Sequence, residues 1–138
     1  MTPDWLAKAI AEGRVTEGPR AQLPRPTLSL DVSEAAFQLE VIDLAHAGGW
    51  AVAHFRRVKV QRGDSTYWET PVAADGKGFP DLLLCRNRLV VAELKRDSKS
   101  DSRLKPEQAA WRDRFARAGV EWHCWRPSMW DQIREVLR

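Results

Sequence analysis

Residues 78–95 read GFPDLLLCRNRLVVAELK. Two aliphatic runs flank Arg86-Asn87-Arg88, and ionisable residues close both outer ends: Asp81 heads the first run, and Glu93-Leu94-Lys95 stands at the foot of the second. Short apolar runs bounded by turn residues predict buried strands, here over 80–85 and 89–95, joined by a three-residue hairpin loop. In that register Cys85 faces Leu89, Leu83 faces Val91 and Asp81 faces Glu93. Directly opposed residues share one face of the sheet, with Cβ atoms ~4.5–5.5 Å apart. Period two puts Lys95 on that same face.

Two carboxylates so close in a buried sheet repel each other and are costly to desolvate unless a cation joins them. A hard divalent ion with oxygen ligands removes the conflict. The plainer alternative is that both acids fray into solvent at the strand ends, with Lys95 as their salt-bridge partner. Two residues outside the hairpin bear on the choice. Glu34 falls on the stripe of Phe37, Val41 and Leu44 in a predicted helix, which aims its carboxylate at the sheet, while Glu40 belongs to the other face. A capping box with Asp31 is the structural role open to Glu34. Gln108 lies in the first turn after Pro106, on the stripe of Trp111 and Phe115. An amide there either faces the core and needs a partner, or sits half in water at the helix start.

From the hairpin outward, the chain reads as one α/β domain preceded by an arm. Its 138 residues, 43% of them hydrophobic, suit a single core. Residues 1–30 read as a short helix ending at Gly13 and an extended linker holding Pro19, Pro24 and Pro26; residues 31–138 form the domain. A helix runs from Asp31 or Ser33 to Gly48-Gly49, and a strand covers Trp50–Phe55. A basic excursion over 56–79 turns at Gly63-Asp64. After the two central strands come a helix opened by Pro106 and closed before Gly119, a strand over Val120–Trp125 and a helix over Met129–Leu137. Cys85 and Cys124 lie in apolar runs without the spacing of a zinc or redox pair, which predicts reduced, buried thiols. No stretch of ~18 apolar residues is present to span a membrane, and the first residues lack the pattern of a secretory signal, so a cytoplasmic location is expected.

The net charge of +3 permits nucleic-acid binding without requiring it. Its distribution says more. RRVKVQR, residues 56–62, carries Arg56, Arg57, Lys59 and Arg62 with no acid, and KRDSKSDSRLK, residues 95–105, includes Lys99, Arg103 and Lys105. Both runs flank the central stretch, which favours phosphate contacts over merely solvated loops. Trp68 in the excursion is open to packing, to an interface or to stacking on an unpaired base. His54 reads first as a strand-end histidine, and Trp111, Trp122, Trp125 and Trp130 as core.

In order along the chain, Glu34, Pro80-Asp81, Glu93-Leu94-Lys95 and Gln108 resemble the pattern of the PD-(D/E)xK nuclease superfamily. Within it the chain is most similar to the virus-type replication-repair nuclease domain (VRR-NUC), whose stand-alone members are mostly small phage proteins. The similarity runs from about Ser33 to Trp130 and includes GW at 49–50, TPV at 70–72, DGKGFPDLLL at 75–84, LKPEQAAW at 104–111 and WRP at 125–127. Residues 1–30 lie outside it. The resemblance implies a mixed four-stranded sheet in αβββαβ order, flanked by helices. It also implies that Asp81, Glu93 and the Leu94 carbonyl hold Mg²⁺ or Mn²⁺, with Glu34 reaching the ion directly or through water. Lys95 would orient the attacking water and Gln108 would position Lys95 or a phosphate. The implied activity is endonucleolytic cleavage of branched DNA such as Holliday junctions, carried out by a homodimer. Two other readings stay open at this stage: a catalytically silent DNA-binding or replisome-docking module, and a restriction-type nuclease that reads sequence in linear duplex.

Overall fold

The computed structural model describes residues 3–16, 33–55, 58–69, 72–97 and 103–138. In chain order the elements are α1 (Asp4–Ala11), β1 (Val15–Thr16), α2 (Glu34–Ala47), β2 (Ala51–His54), β3 (Val58–Arg62), β4 (Ser65–Glu69), β5 (Leu82–Cys85), β6 (Leu89–Leu94), α3 (Pro106–Arg117), β7 (Glu121–Trp125) and α4 (Trp130–Leu137). A 3₁₀ turn over Pro127–Met129 leads into α4. The main sheet is mixed, in the order β1-β7-β6-β5-β2, and β3 and β4 form a separate two-stranded ladder.

Local chemistry explains most boundaries. Ser33 caps α2, its hydroxyl accepting the Ala36 N–H at 3.1 Å. Gly49, at φ +82°, turns the chain from that helix into β2. The two-residue turn Gly63-Asp64 closes the excursion as a hairpin in which Arg62 pairs with Ser65. Pro106 opens α3 and Gly119, at φ +76°, follows its end.

The central hairpin sorts its side chains by parity. Leu82, Leu84, Val90, Ala92 and Leu94 join Phe37, Val41, Trp125 and Ile133 in a core under α2 and α4. Leu83 and Val91 face the opposite way, into a core with Leu6, Ala9, Val15, Ala116, Trp122 and Cys124 under α1 and α3.

The same connectivity gathers several chain ends at one edge of the sheet. β6 runs antiparallel to β5, so its last residues return to where β5 begins, and β7 runs parallel to β6 with Leu94 beside Trp125. The crossover from β6 to β7 is α3, whose first turn therefore starts at this end. β2 pairs antiparallel to β5 with His54 opposite Leu82. Because a tight glycine turn joins α2 to β2, the first turn of α2 lies at this end too.

Three expectations are corrected. The sheet has five strands rather than four, because Val15 and Thr16 pair with Trp122 and His123 on the outer side of β7. Residues 14–16 were expected to belong to an extended linker; instead Val15 is buried and the Arg14 carbonyl accepts the Trp122 N–H. Residues 17–32, with the three prolines, lie outside the described residues. Third, Cys124 is buried but Cys85 is exposed, since it ends β5 at the hairpin turn, beyond the cover of the helices. The elements α2-β2-β5-β6-α3-β7 follow the αβββαβ order, with β3-β4 inserted between β2 and β5. Among the described residues, no helix is long and apolar enough to cross a membrane.

Candidate active site

Asp81, Glu93 and Lys95 are buried to 5%, 2% and 7% exposure, in a row on the α3 side of the sheet. The predicted pairs Cys85–Leu89 and Leu83–Val91 are present, and the ladder ends at Leu82–Ala92, one pair short of Asp81–Glu93. Side-chain chemistry ends it there. The Asp81 carboxylate accepts the Leu94 N–H at 2.8 Å, and its backbone carbonyl accepts the Phe55 N–H at 3.0 Å. Asp81 is thus stitched to β6 by its side chain and to the end of β2 by its main chain. Neither acid frays into solvent.

Glu93 is held from the helix side. Gln108 Nε2 donates to Glu93 Oε1 at 2.9 Å, while Gln108 Oε1 accepts the Lys105 N–H at 2.9 Å. The amide therefore caps α3 with one atom and fixes the buried carboxylate with the other. Lys95 leaves β6 through a backbone bond from its N–H to the Trp125 carbonyl, 2.9 Å. Beyond it, Asp97 accepts both the Ser128 N–H at 3.0 Å and the Ser128 hydroxyl at 2.6 Å, which ties the strand exit to the 3₁₀ turn.

Cys124 registers the electrostatics of this row. It pairs with Glu93 across the parallel ladder, and its thiol is pushed up to about 12, chiefly by burial. Arg126, Glu93, Lys95 and Asp81 all lie close enough to act on it. Arg126 is the residue that sequence reasoning missed. It follows Cys124 by two positions, takes the place beside Lys95 when the β6–β7 register is extended, and donates to the Arg96 carbonyl at 2.8 Å. Parity counted from Cys124 across the WRP segment was the signal that could have found it.

Glu34 is the first residue of α2, half-buried, with its Oε1 shielded from solvent. With Ser33 as the cap, Glu34 is not the third helical residue, so it does not take the reciprocal place of a capping box. Glu40 is exposed on the other face of the helix. Among the described residues, no three His, Cys, Asp or Glu side chains group tightly enough to hold a metal unaided.

The donor set at this end of the sheet is all oxygen, with two carboxylates and a strand-end carbonyl. Such a set suits Mg²⁺ or Mn²⁺, since Mg²⁺ takes one or two carboxylates and completes its shell with water and phosphate oxygens. Of the predicted phosphate contacts, Arg62, Arg103 and Lys105 are exposed. Arg56, Arg57 and Lys99 lie outside the described residues, as do the side chains of Lys59 and Trp68. His123 is buried between Thr16 Oγ1 at 2.6 Å and Glu121 Oε2 at 2.7 Å, which is a structural role. No family model matches the chain, and no curated protein or solved structure matches it.

Proposed function

We propose that this protein is a metal-dependent, structure-selective DNA endonuclease of the PD-(D/E)xK type, similar to stand-alone VRR-NUC domains. One observation carries the reading: two carboxylates and a lysine, all buried, occupy one row at one end of the sheet, with Gln108 anchored to Glu93. Burying two acids beside each other is unfavourable unless positive charge compensates them. Lys95 lies in the row and Arg126 beside it, and a divalent ion would add positive charge between the two carboxylates.

Asp81, Glu93 and the Leu94 carbonyl are the residues that would hold Mg²⁺ or Mn²⁺, with Glu34 reaching the ion directly or through water. The ion supplies Lewis acidity toward a phosphoryl oxygen and makes a water more nucleophilic at neutral pH. Lys95 orients the attacking water and opposes the negative charge that grows on the phosphoryl group. Gln108 keeps Glu93 in place and would also position Lys95 or a phosphate. Arg62, Arg103 and Lys105, with Arg56, Arg57, Lys59 and Lys99, track the DNA backbone. A homodimer acting on branched DNA such as a Holliday junction fits the chemistry of symmetric cleavage.

Incubating the protein with labelled junction, flap, single-stranded and linear DNA, with and without Mn²⁺, tests the reading. Mn²⁺-dependent cleavage that favours the junction is the expected result. Binding without cleavage would point to a silent DNA-binding module, and sequence-specific cutting of linear duplex to a restriction-type enzyme.

A further inference from the structure

Asp81 emerges from the segment 72–80, which forms no strand or helix yet packs hard on the first turns of α3. Gly78 lies at φ +83°, and a Cβ there would come within 2.5 Å of the Glu107 carbonyl carbon and 2.8 Å of the Gln108 nitrogen. The loop thus touches the backbone of the very residue whose side chain holds Glu93. Two turns of contact reinforce this seat. Trp111 Nε1 donates to both the Asp75 and Lys77 carbonyls, each at 3.1 Å, and the Phe79 ring sits edge-on to Trp111 with centroids 5.0 Å apart. Phe79 also meets Phe55 and Phe115 edge-on, at 5.1 and 5.7 Å. Within the loop, the Phe79 N–H is held by the Gly76 carbonyl at 2.9 Å.

We propose that Trp111 is a positioning residue for the metal site. Its shared indole N–H clamps the 72–80 loop onto α3, so that Asp81, which ends the loop, and Glu93, which hangs from Gln108, are held in one frame. A carbonyl-rich loop without a ladder of its own has few ways to fix its height above a helix, and a single N–H bridging two carbonyls across Gly76 does so. The clamp itself is independent of any reaction; its effect on metal binding rests on the nuclease reading.

Trp111→Phe tests the proposal, because it keeps an aromatic ring against Phe79 and Phe115 and deletes the N–H, with some ring area lost beside it. In the metal-free protein, amide exchange at Gly76 and Phe79 should accelerate about tenfold while the amides of β6 hold their protection. With Mn²⁺ as the sole probe, calorimetry should show binding weakened severalfold, and kcat for junction cleavage should fall with KM for DNA unchanged. Gly78→Ala, which pushes the loop off α3 while leaving Trp111 intact, should give the same local pattern. Unchanged loop exchange in Trp111→Phe, or faster exchange spread evenly over the whole sheet, would overturn the clamp. Local loosening with undiminished Mn²⁺ affinity would overturn its role at the site. Should the wild-type protein bind no Mn²⁺ and cut no DNA, the nuclease reading fails by itself, and loop exchange alone decides the clamp.

Discussion

The two ends of the central hairpin carry opposite charge chemistry. At the turn, Arg86 and Arg88 stack on the Trp50 ring at 4.6 and 5.1 Å and spend their donors on carbonyls: Arg86 on Gly48 and Arg138, Arg88 on Val136. Trp50 Nε1 adds a bond to the Leu137 carbonyl at 3.0 Å. These carbonyls end helices α2 and α4, where partial negative charge collects, so cations belong there. The charges at the turn are met by the protein's own backbone and, for Arg88, by the Glu121 carboxylate as well. At the open end, by contrast, two acids are buried with Lys95, Arg126 lies close by, and a main-chain N–H and an amide are among the donors that hold the acids. Stability accounts for the first arrangement. The second places ionisable groups in a buried cluster, where charge is costly to desolvate, and under the proposed nuclease reading a divalent ion would join it.

The largest effect should separate the ends outright. Asp81→Ala or Glu93→Ala should lower cleavage by ~10²-fold or more, within the range that single catalytic groups contribute. Circular dichroism and DNA binding should stay near wild type, and relief of carboxylate repulsion can raise the melting temperature of the metal-free protein. Wild-type turnover in either variant would remove the functional distinction between the two ends.

Trp50→Phe probes the other end. It deletes the N–H that serves the Leu137 carbonyl and leaves that acceptor buried, at a cost of ~1–3 kcal/mol. The urea midpoint should fall accordingly, while cleavage per folded molecule should not change. A loss of turnover without a loss of stability would show that the turn end acts on the site.

Glu34→Gln should have a smaller effect that sharpens the outline of the open end. If Glu34 serves the proposed ion, removing its charge should weaken Mn²⁺ affinity and cleavage by roughly tenfold or more, the range for metal-site partners. The melting temperature should hold, because Ser33 rather than Glu34 caps the helix. Unaltered metal titration would confine the chemistry to Asp81, Glu93 and Lys95.

The hairpin register was legible because period two and a three-residue loop leave little freedom. The insertion's turn at Gly63-Asp64 and the caps at Gly49 and Gly119 were legible for similar local reasons. The opposed pair Asp81–Glu93 was not, since an aspartate that bonds a strand N–H ends the ladder it was expected to continue. Val15–Thr16 escaped notice because two residues carry no period, and the prolines that follow read as a linker. The exposure of Cys85 depends on where the helices stop covering the sheet, which no local pattern encodes. Gly78 is plain in the sequence, but its reason, contact with the backbone of Glu107 and Gln108, is tertiary.

The smallest expected effect belongs to Glu121, which extends the turn-end network into β7. Burial raises its carboxyl, but the His123 hydrogen bond and charge, together with Arg88 at 3.2 Å, outweigh burial and leave it below its ordinary value of 4.5. A carboxyl lowered on folding lends stability that is present above its unfolded value. That stability is lost as pH falls from about 4.5 through the depressed folded value. Glu121→Gln should therefore cost no more than ~1 kcal/mol at neutral pH, as for other partly exposed pairs. It should also make the acid limb of a stability-against-pH curve shallower than in wild type. Parallel acid limbs in the two proteins would mean that Arg88 and His123 do not bias this carboxyl. The turn end would then owe its order to the carbonyl contacts of Arg86, Arg88 and Trp50 alone.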